Sequence, residues 1–139
     1  MIGVLIVTHG RLAQELLEAA RAIAGELPNF HALALDWKEG LEEGKRRIAE
    51  EVRQLDSGEG VLVLTDMFGD TPSNAALALA NALPLEVVSG VNLPMVVRLG
   101  CAQSSTLGLR ETARWLEIKG RRSIRRASAL ARGGRNGHG

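Results

Sequence analysis

The chain has 139 residues with 45% apolar and 24% charged positions, enough for one domain with a single core and without any apolar run long enough to cross a bilayer. One cysteine, Cys101, excludes an internal disulfide and a cysteine metal cluster, and its type predicts a core or near-core position; 3% aromatics without tyrosine argue against a base-stacking platform. The net charge of +1 conceals an acidic body, 16 acids against 10 bases in residues 1–118, and a basic end with seven bases and no acid in residues 119–139.

No pattern of basic start, apolar run and small-residue cleavage site opens the chain, so a soluble, cytoplasmic protein without membrane insertion is expected. The opening stretch Ile2-Gly3-Val4-Leu5-Ile6-Val7 is apolar or glycine throughout and runs into Thr8-His9-Gly10, the pattern of a buried strand that delivers a histidine to its carboxyl end. Ligands of open α/β sheets collect at such ends, which makes His9 the first candidate; the plain alternative is a histidine that caps the next helix or bonds a loop carbonyl.

Leu12, Leu16, Ala20, Ile23 and Leu27 then draw one apolar stripe along a helix that ends near Gly25 to Pro28. Phe30 to Leu35 reads as a second strand with Asp36-Trp37 at its tip, and His31 falls at the strand's entry, a structural position. Glu39 to Leu55 is helical, with Leu41, Ile48, Val52 and Leu55 inward and Glu42 to Arg46 and Glu43 to Arg47 paired on the wet face. After the turn at Asp56 to Gly60, Val61 to Leu64 is a third strand, apolar throughout and therefore covered on both faces.

That strand opens into Thr65-Asp66-Met67-Phe68-Gly69-Asp70-Thr71-Pro72-Ser73-Asn74, where Thr71 suits the helix N-cap and Pro72 the first helical position. The free amides of this helix start form an anion site on the same edge as His9. Leu85 to Val88 is a short fourth strand, followed by a helix start at Pro94 to Val97 and a last helix capped by Ser104, Ser105 or Thr106, running to about Lys119 and stopped by Gly120. Arg121 to Arg126 fits an edge strand or a coil equally, and residues 127–139, with four glycines among the last seven, are expected to be a flexible basic tail after a domain spanning 1–126.

Strands alternating with helices imply an α/β, doubly wound, mainly parallel four-stranded sheet with helices on both faces, in the common order 2-1-3-4. That order makes the first and third strands neighbours and brings His9 to Asp66 across 57 positions. A carboxylate beside an imidazole accepts a hydrogen bond from one ring nitrogen and leaves the lone pair of the other free to attack. The competing roles are a loop-capping aspartate for Asp66, a helix-start acid for Asp70, and an apolar loop plug, as against partner docking, for Phe68. No nucleophile elbow, no phosphate-binding Gly-Lys loop and no histidine pair at metal spacing is present.

Gly3 to Gly10, Gly60 to Ala76 and Gly90 to Met95 together closely resemble the enzyme IIA component of the mannose family of the bacterial phosphoenolpyruvate-dependent sugar phosphotransferase system, over residues 1 to about 126. The resemblance implies that His9 takes a phosphoryl group from phosphohistidine HPr and passes it to a IIB component associated with a membrane permease. It also implies that Asp66 orients the ring and that the loop of Gly69, Asp70 and Thr71 lies against the phosphoryl group, with neither nucleotide nor metal taking part. A homodimer is implied too, in which Arg121 to Arg126 would form an antiparallel edge strand exchanged between subunits. The family usually has glycine where this chain has Asp70, and with no IIB domain following, a separate acceptor is expected. The other readings are a phosphorylation-dependent regulatory module without a sugar substrate and the phosphoryl donor subunit of dihydroxyacetone kinase. Nucleic-acid binding through the tail is disfavoured by the acidic body.

Overall fold

The structure, a computed structural model, describes residues 1–103 and 105–133. In chain order the elements are β1 (Gly3–His9), α1 (Leu12–Ala24), β2 (Phe30–Leu35), α2 (Leu41–Leu55), β3 (Val61–Thr65), α3 (Thr71–Leu79), β4 (Leu85–Ser89), α4 (Leu93–Cys101), α5 (Leu109–Arg122) and α6 (Ala127–Gly133). The four strands form one sheet in the order β2-β1-β3-β4, every neighbouring pair parallel, as the alternation of elements requires. Strand pleating sorts the side chains into two cores. Val4, Ile6, Leu62 and Leu64 face α1, α4 and α5, whereas Leu5, Val7, Val61 and Val63 face α2 and α3.

The register explains the site's position. Val7 pairs with Thr65, so β1 projects two residues further than β3 at the carboxyl edge, and His9, itself paired with Leu35, stands beside the first residue after β3. Thr8 is fully buried and its hydroxyl accepts the Ala13 N–H at 2.7 Å, which supplies the start of α1 with the side-chain cap that Arg11 does not give. Gly10, at φ +54°, makes the left-handed turn between strand and helix.

Several local expectations give way to tertiary packing. The buried stripe of α1 is Ala13, Leu17 and Ala20, and Leu12 and Ile23 are exposed, because adjacent stripes of this leucine- and alanine-rich helix satisfy the same period and the close approach of α4 selects the smaller one. Leu41 is likewise exposed at the first turn of α2, and the surface pairs are Arg46 with Glu43 and Glu50, Lys45 with Glu42, and Arg47 with Glu39. Cys101 is exposed at the end of α4.

Asp70, rather than Thr71, caps α3, and Thr71 is its first helical residue. Helix α5 starts after Gly108 with Ser105 and Thr106 in the preceding loop; the expected cap at Ser104 lies outside the described residues. Nor does Gly120 stop α5. It lies against Met95 of α4, where an added Cβ would come within 2.8 Å of the sulfur, so the glycine serves close helix packing and the helix continues to Arg122. Arg121 and Arg122 are therefore helical and Ser123 to Arg126 is an irregular link, which corrects the expected edge strand at 121–126: in the single chain the i,i+4 pair Glu117–Arg121 and the Ser123 hydroxyl on the Gly120 carbonyl favour helix. Of the expected flexible tail, Ala127–Gly133 is helical without buried residues, and residues 134–139 lie outside the described residues.

Candidate functional site

The carboxyl edge of β1 and β3 brings His9 and Asp66 together as their strand order predicts. One carboxylate oxygen of Asp66, Oδ2, accepts the backbone N–H of His9 at 3.0 Å and lies 2.8 Å from its ring Nδ1. Both side chains are nearly enclosed, His9 15% and Asp66 11% exposed. The other oxygen of Asp66 accepts the Met67 N–H at 3.0 Å. Burial alone would raise the Asp66 pKa, but the His9 backbone N–H, the His9 ring and the Met67 N–H together outweigh it and hold the carboxyl below its ordinary value of 3.8. An ionised carboxylate only accepts, so Nδ1 carries the proton of this bond and Nε2 is the ring nitrogen that Asp66 leaves free.

Nε2 points towards the start of α3, where Asp70 meets it: Asp70 Oδ2 lies 3.2 Å away. The same carboxylate caps α3 by accepting the Thr71 N–H on Oδ1 at 2.9 Å, and its side chain is 47% exposed. Asp70 thus spans the gap between His9 Nε2 and the Thr71 amide at the start of α3. Gly69 precedes it at φ +88°, a backbone state that suits glycine, and the Gly69 carbonyl accepts the Asn74 amide at 3.2 Å, which folds the loop back onto α3.

Behind the loop lies a row of hydroxyls, with Thr65 Oγ1 2.7 Å from Ser89 Oγ and Ser89 Oγ 3.0 Å from Ser73 Oγ. Thr65 and Ser73 are fully buried, so this row ties the ends of β3, α3 and β4 into one rigid edge under Asp66 and Asp70.

One contact escaped the sequence reading. Trp37, just beyond β2, stacks on His9 with ring centroids 4.7 Å apart and planes 22° from parallel, although the indole is 77% exposed. The signal was available: β2 neighbours β1, Leu35 pairs with His9, and Asp36-Trp37 occupies the tip of that strand. Phe68 is not drawn to the histidine but stands 80% exposed on the loop, where with Leu77 and Val87 it lines a groove beside β4. His31 sits at the far end of β2 and bonds Glu51 of α2 at 2.7 Å, in keeping with a structural position. Among the described residues no group of three or more His, Cys, Asp or Glu is arranged to hold a metal ion, and no helix is long and apolar enough to cross a membrane.

A family model described as the PTS system fructose IIA component, EIIA-man, matches residues 3–114. The sorbose-specific EIIA component of Lacticaseibacillus casei is 34% identical over 99 residues, 69% of this chain and 70% of that protein. The mannose-specific EIIAB component of Escherichia coli K12 is 35% identical over 97 residues, again 69% of this chain but only 30% of that longer protein. Among solved structures, the mannose/sorbose-specific IIA subunit from Enterococcus faecalis superposes with a TM-score of 0.78 at 28% identity, over 89% of this chain and 92% of that one. The site lies within the matched segment and the sheet order is that of the fold, and the chain belongs to the mannose/fructose-type IIA family of the phosphotransferase system.

Proposed function

We propose that His9 is the phosphoryl carrier, accepting a phosphoryl group on Nε2 from the phosphohistidine of HPr and passing it to a IIB component that serves sugar uptake. The observation that carries this reading is the pair of bonds from Asp66 to His9, which holds Nδ1–H and leaves Nε2 directed at the α3 start.

In the transfer, the Nε2 lone pair of His9 attacks phosphorus, the N–P bond of the donor breaks, and the donor imidazole leaves as a neutral ring bearing one N–H. The positive charge moves with the phosphoryl group onto the His9 ring, where the Asp66 carboxylate sits 2.8 Å from Nδ1 to stabilise it. Onward transfer is the same step in reverse, with a side chain of IIB as nucleophile. Trp37 screens one face of the ring from water, and Phe68 with Met67 forms an exposed apolar rim on which protein partners can seat.

The chain is further proposed to act as a homodimer, for which the outer edge of β4 is available within this sheet and the exposed Ile118 and Ile124 offer apolar contact surface. The phosphocarrier reading is preferred to a kinase subunit or a purely regulatory module because the curated relatives reported above are sugar-transport components. The test is incubation with phosphoenolpyruvate, enzyme I and HPr. An acid-labile, alkali-stable phosphoprotein that disappears in His9→Ala supports the proposal, and labelling unchanged in His9→Ala overturns it.

A further inference from the structure

The contact between Nε2 and Asp70 conflicts with the chemistry just proposed. Asp70 Oδ2 stands 3.2 Å from Nε2, in the space that an incoming phosphoryl group must enter. Nδ1–H is given to Asp66, so Nε2 is the nitrogen left to attack, and Asp70 stands on its open side. The approach to the nitrogen that must attack phosphorus is blocked for as long as Asp70 stays in place.

The second oxygen of Asp70 takes the Thr71 N–H at 2.9 Å, so one carboxylate holds both partners that an incoming phosphoryl group would use: the ring nitrogen and the helix-start amide. Carboxylate and phosphoryl are both anionic and cannot share the seat. Asp70 is also free to leave it. Its side chain is half exposed, no Lys or Arg ion pair holds it among the described residues, and Gly69 before it has open space around its α-carbon.

We propose that Asp70 is a resident anion in the phosphoryl seat, so that His9 accepts phosphorus only when the Asp70 side chain swings out, which slows phosphorylation relative to a chain with a neutral residue there. This rests on the reading of His9 as phosphoryl acceptor. It assigns Asp70 the opposite effect to Asp66: one carboxylate supports the charged ring from behind, the other competes with the group that charges it.

The balance of the step is unchanged by the gate. Asp70 departs as a carboxylate, the Nε2 lone pair forms the N–P bond, and the donor's bond to phosphorus breaks. The displaced carboxylate is then solvated, while its charge still repels the approaching phosphoryl dianion. Removing one such charge at this half-exposed site is expected to speed labelling on the order of tenfold.

The experiment uses two donors. Phosphoramidate, a small anion that phosphorylates imidazoles with loss of ammonia, needs no protein partner; phospho-HPr tests the carrier reading. The variants are Asp70→Asn and Asp70→Ser, both good N-caps, so the start of α3 keeps a side-chain acceptor while the charge is removed. If Asp70 is the gate, both variants label at His9 about tenfold faster than the parent with phosphoramidate, and Asp70→Glu, which restores the charge, stays within a few-fold of the parent. Equal or slower labelling in both neutral variants overturns the gate. If phosphoramidate labels with this ranking while phospho-HPr labels none of the proteins, the gate stands and the HPr reading falls; if neither donor labels His9 in any of them, both fall.

Discussion

Replacing Asp66 by asparagine should separate the histidine's support from its mere presence. The side chains are nearly the same size, so the cleft keeps its shape, but the carboxylate that takes two hydrogen bonds on one oxygen, at 3.0 Å from the His9 N–H and 2.8 Å from Nδ1, becomes a neutral amide. If the amide oxygen takes the place of Oδ2, its NH2 group faces the Met67 N–H, donor against donor, where the carboxylate now accepts at 3.0 Å. The larger loss comes during transfer, when the ring turns positive. A unit charge pair about 4 Å apart is worth about 1 kcal/mol in water and about 4 kcal/mol near a protein surface. Two side chains only 11% and 15% exposed place the loss between these limits, about 2 kcal/mol, or a factor of about 30 in rate. Rapid-quench measurement of transfer from phospho-HPr to His9 reads this directly. An Asp66→Asn rate within twofold of the parent would refute the role given to the carboxylate.

The same substitution has a signature in stability. The Asp66 carboxyl is held below its ordinary value of 3.8, so its contribution is complete above that pH and is lost as pH falls through the depressed native value; urea titrations should show the parent's advantage over Asp66→Asn level above about pH 5 and shrinking below about pH 4. Gly60→Ala should cost about 1–3 kcal/mol in the same assay, because Gly60 sits at φ +86° and a Cβ there would meet Leu109 at 2.8 Å and the Pro84 carbonyl at 3.0 Å. Phosphorylation of His9 should change the tryptophan fluorescence through the stacked Trp37, a change that disappears in Trp37→Phe although Trp115 remains. Sedimentation should give a species of twice the 14.9 kDa chain mass; a monomer at micromolar concentration would reject the dimer.

Much of the site could be read before the fold was known because it depends on strand order more than on detail. Fully apolar runs such as Val61 to Leu64 announce strands covered on both faces, and once the first and third are neighbours, His9 and Asp66 have one place to meet. Choices between equivalent local solutions were less legible. Leu12 and Ile23 fit a helical period as well as Ala13 and Leu17 do, and only the neighbouring α4 decides which stripe is buried. Gly120 carries the mark of a helix stop yet answers to Met95 across the α4–α5 contact, information absent from its own segment. Asp70 is legible as an acid at a helix start, and it does cap α3; its second contact, with Nε2, depends on how far β1 projects beyond β3. An edge strand at 121–126 would draw its hydrogen bonds from a second chain, and within one chain α5 extends into that segment instead.

The central claim is that Nδ1 of His9 is bonded to Asp66 and Nε2 does the chemistry. Nitrogen-15 and phosphorus-31 NMR of the histidine-labelled protein, phosphorylated from phosphoenolpyruvate through enzyme I and HPr, distinguishes the two nitrogens. A single phosphohistidine at His9 is expected, bonded through Nε2 with the proton retained on Nδ1. Phosphorus on Nδ1 of His9, or on His31, would contradict it.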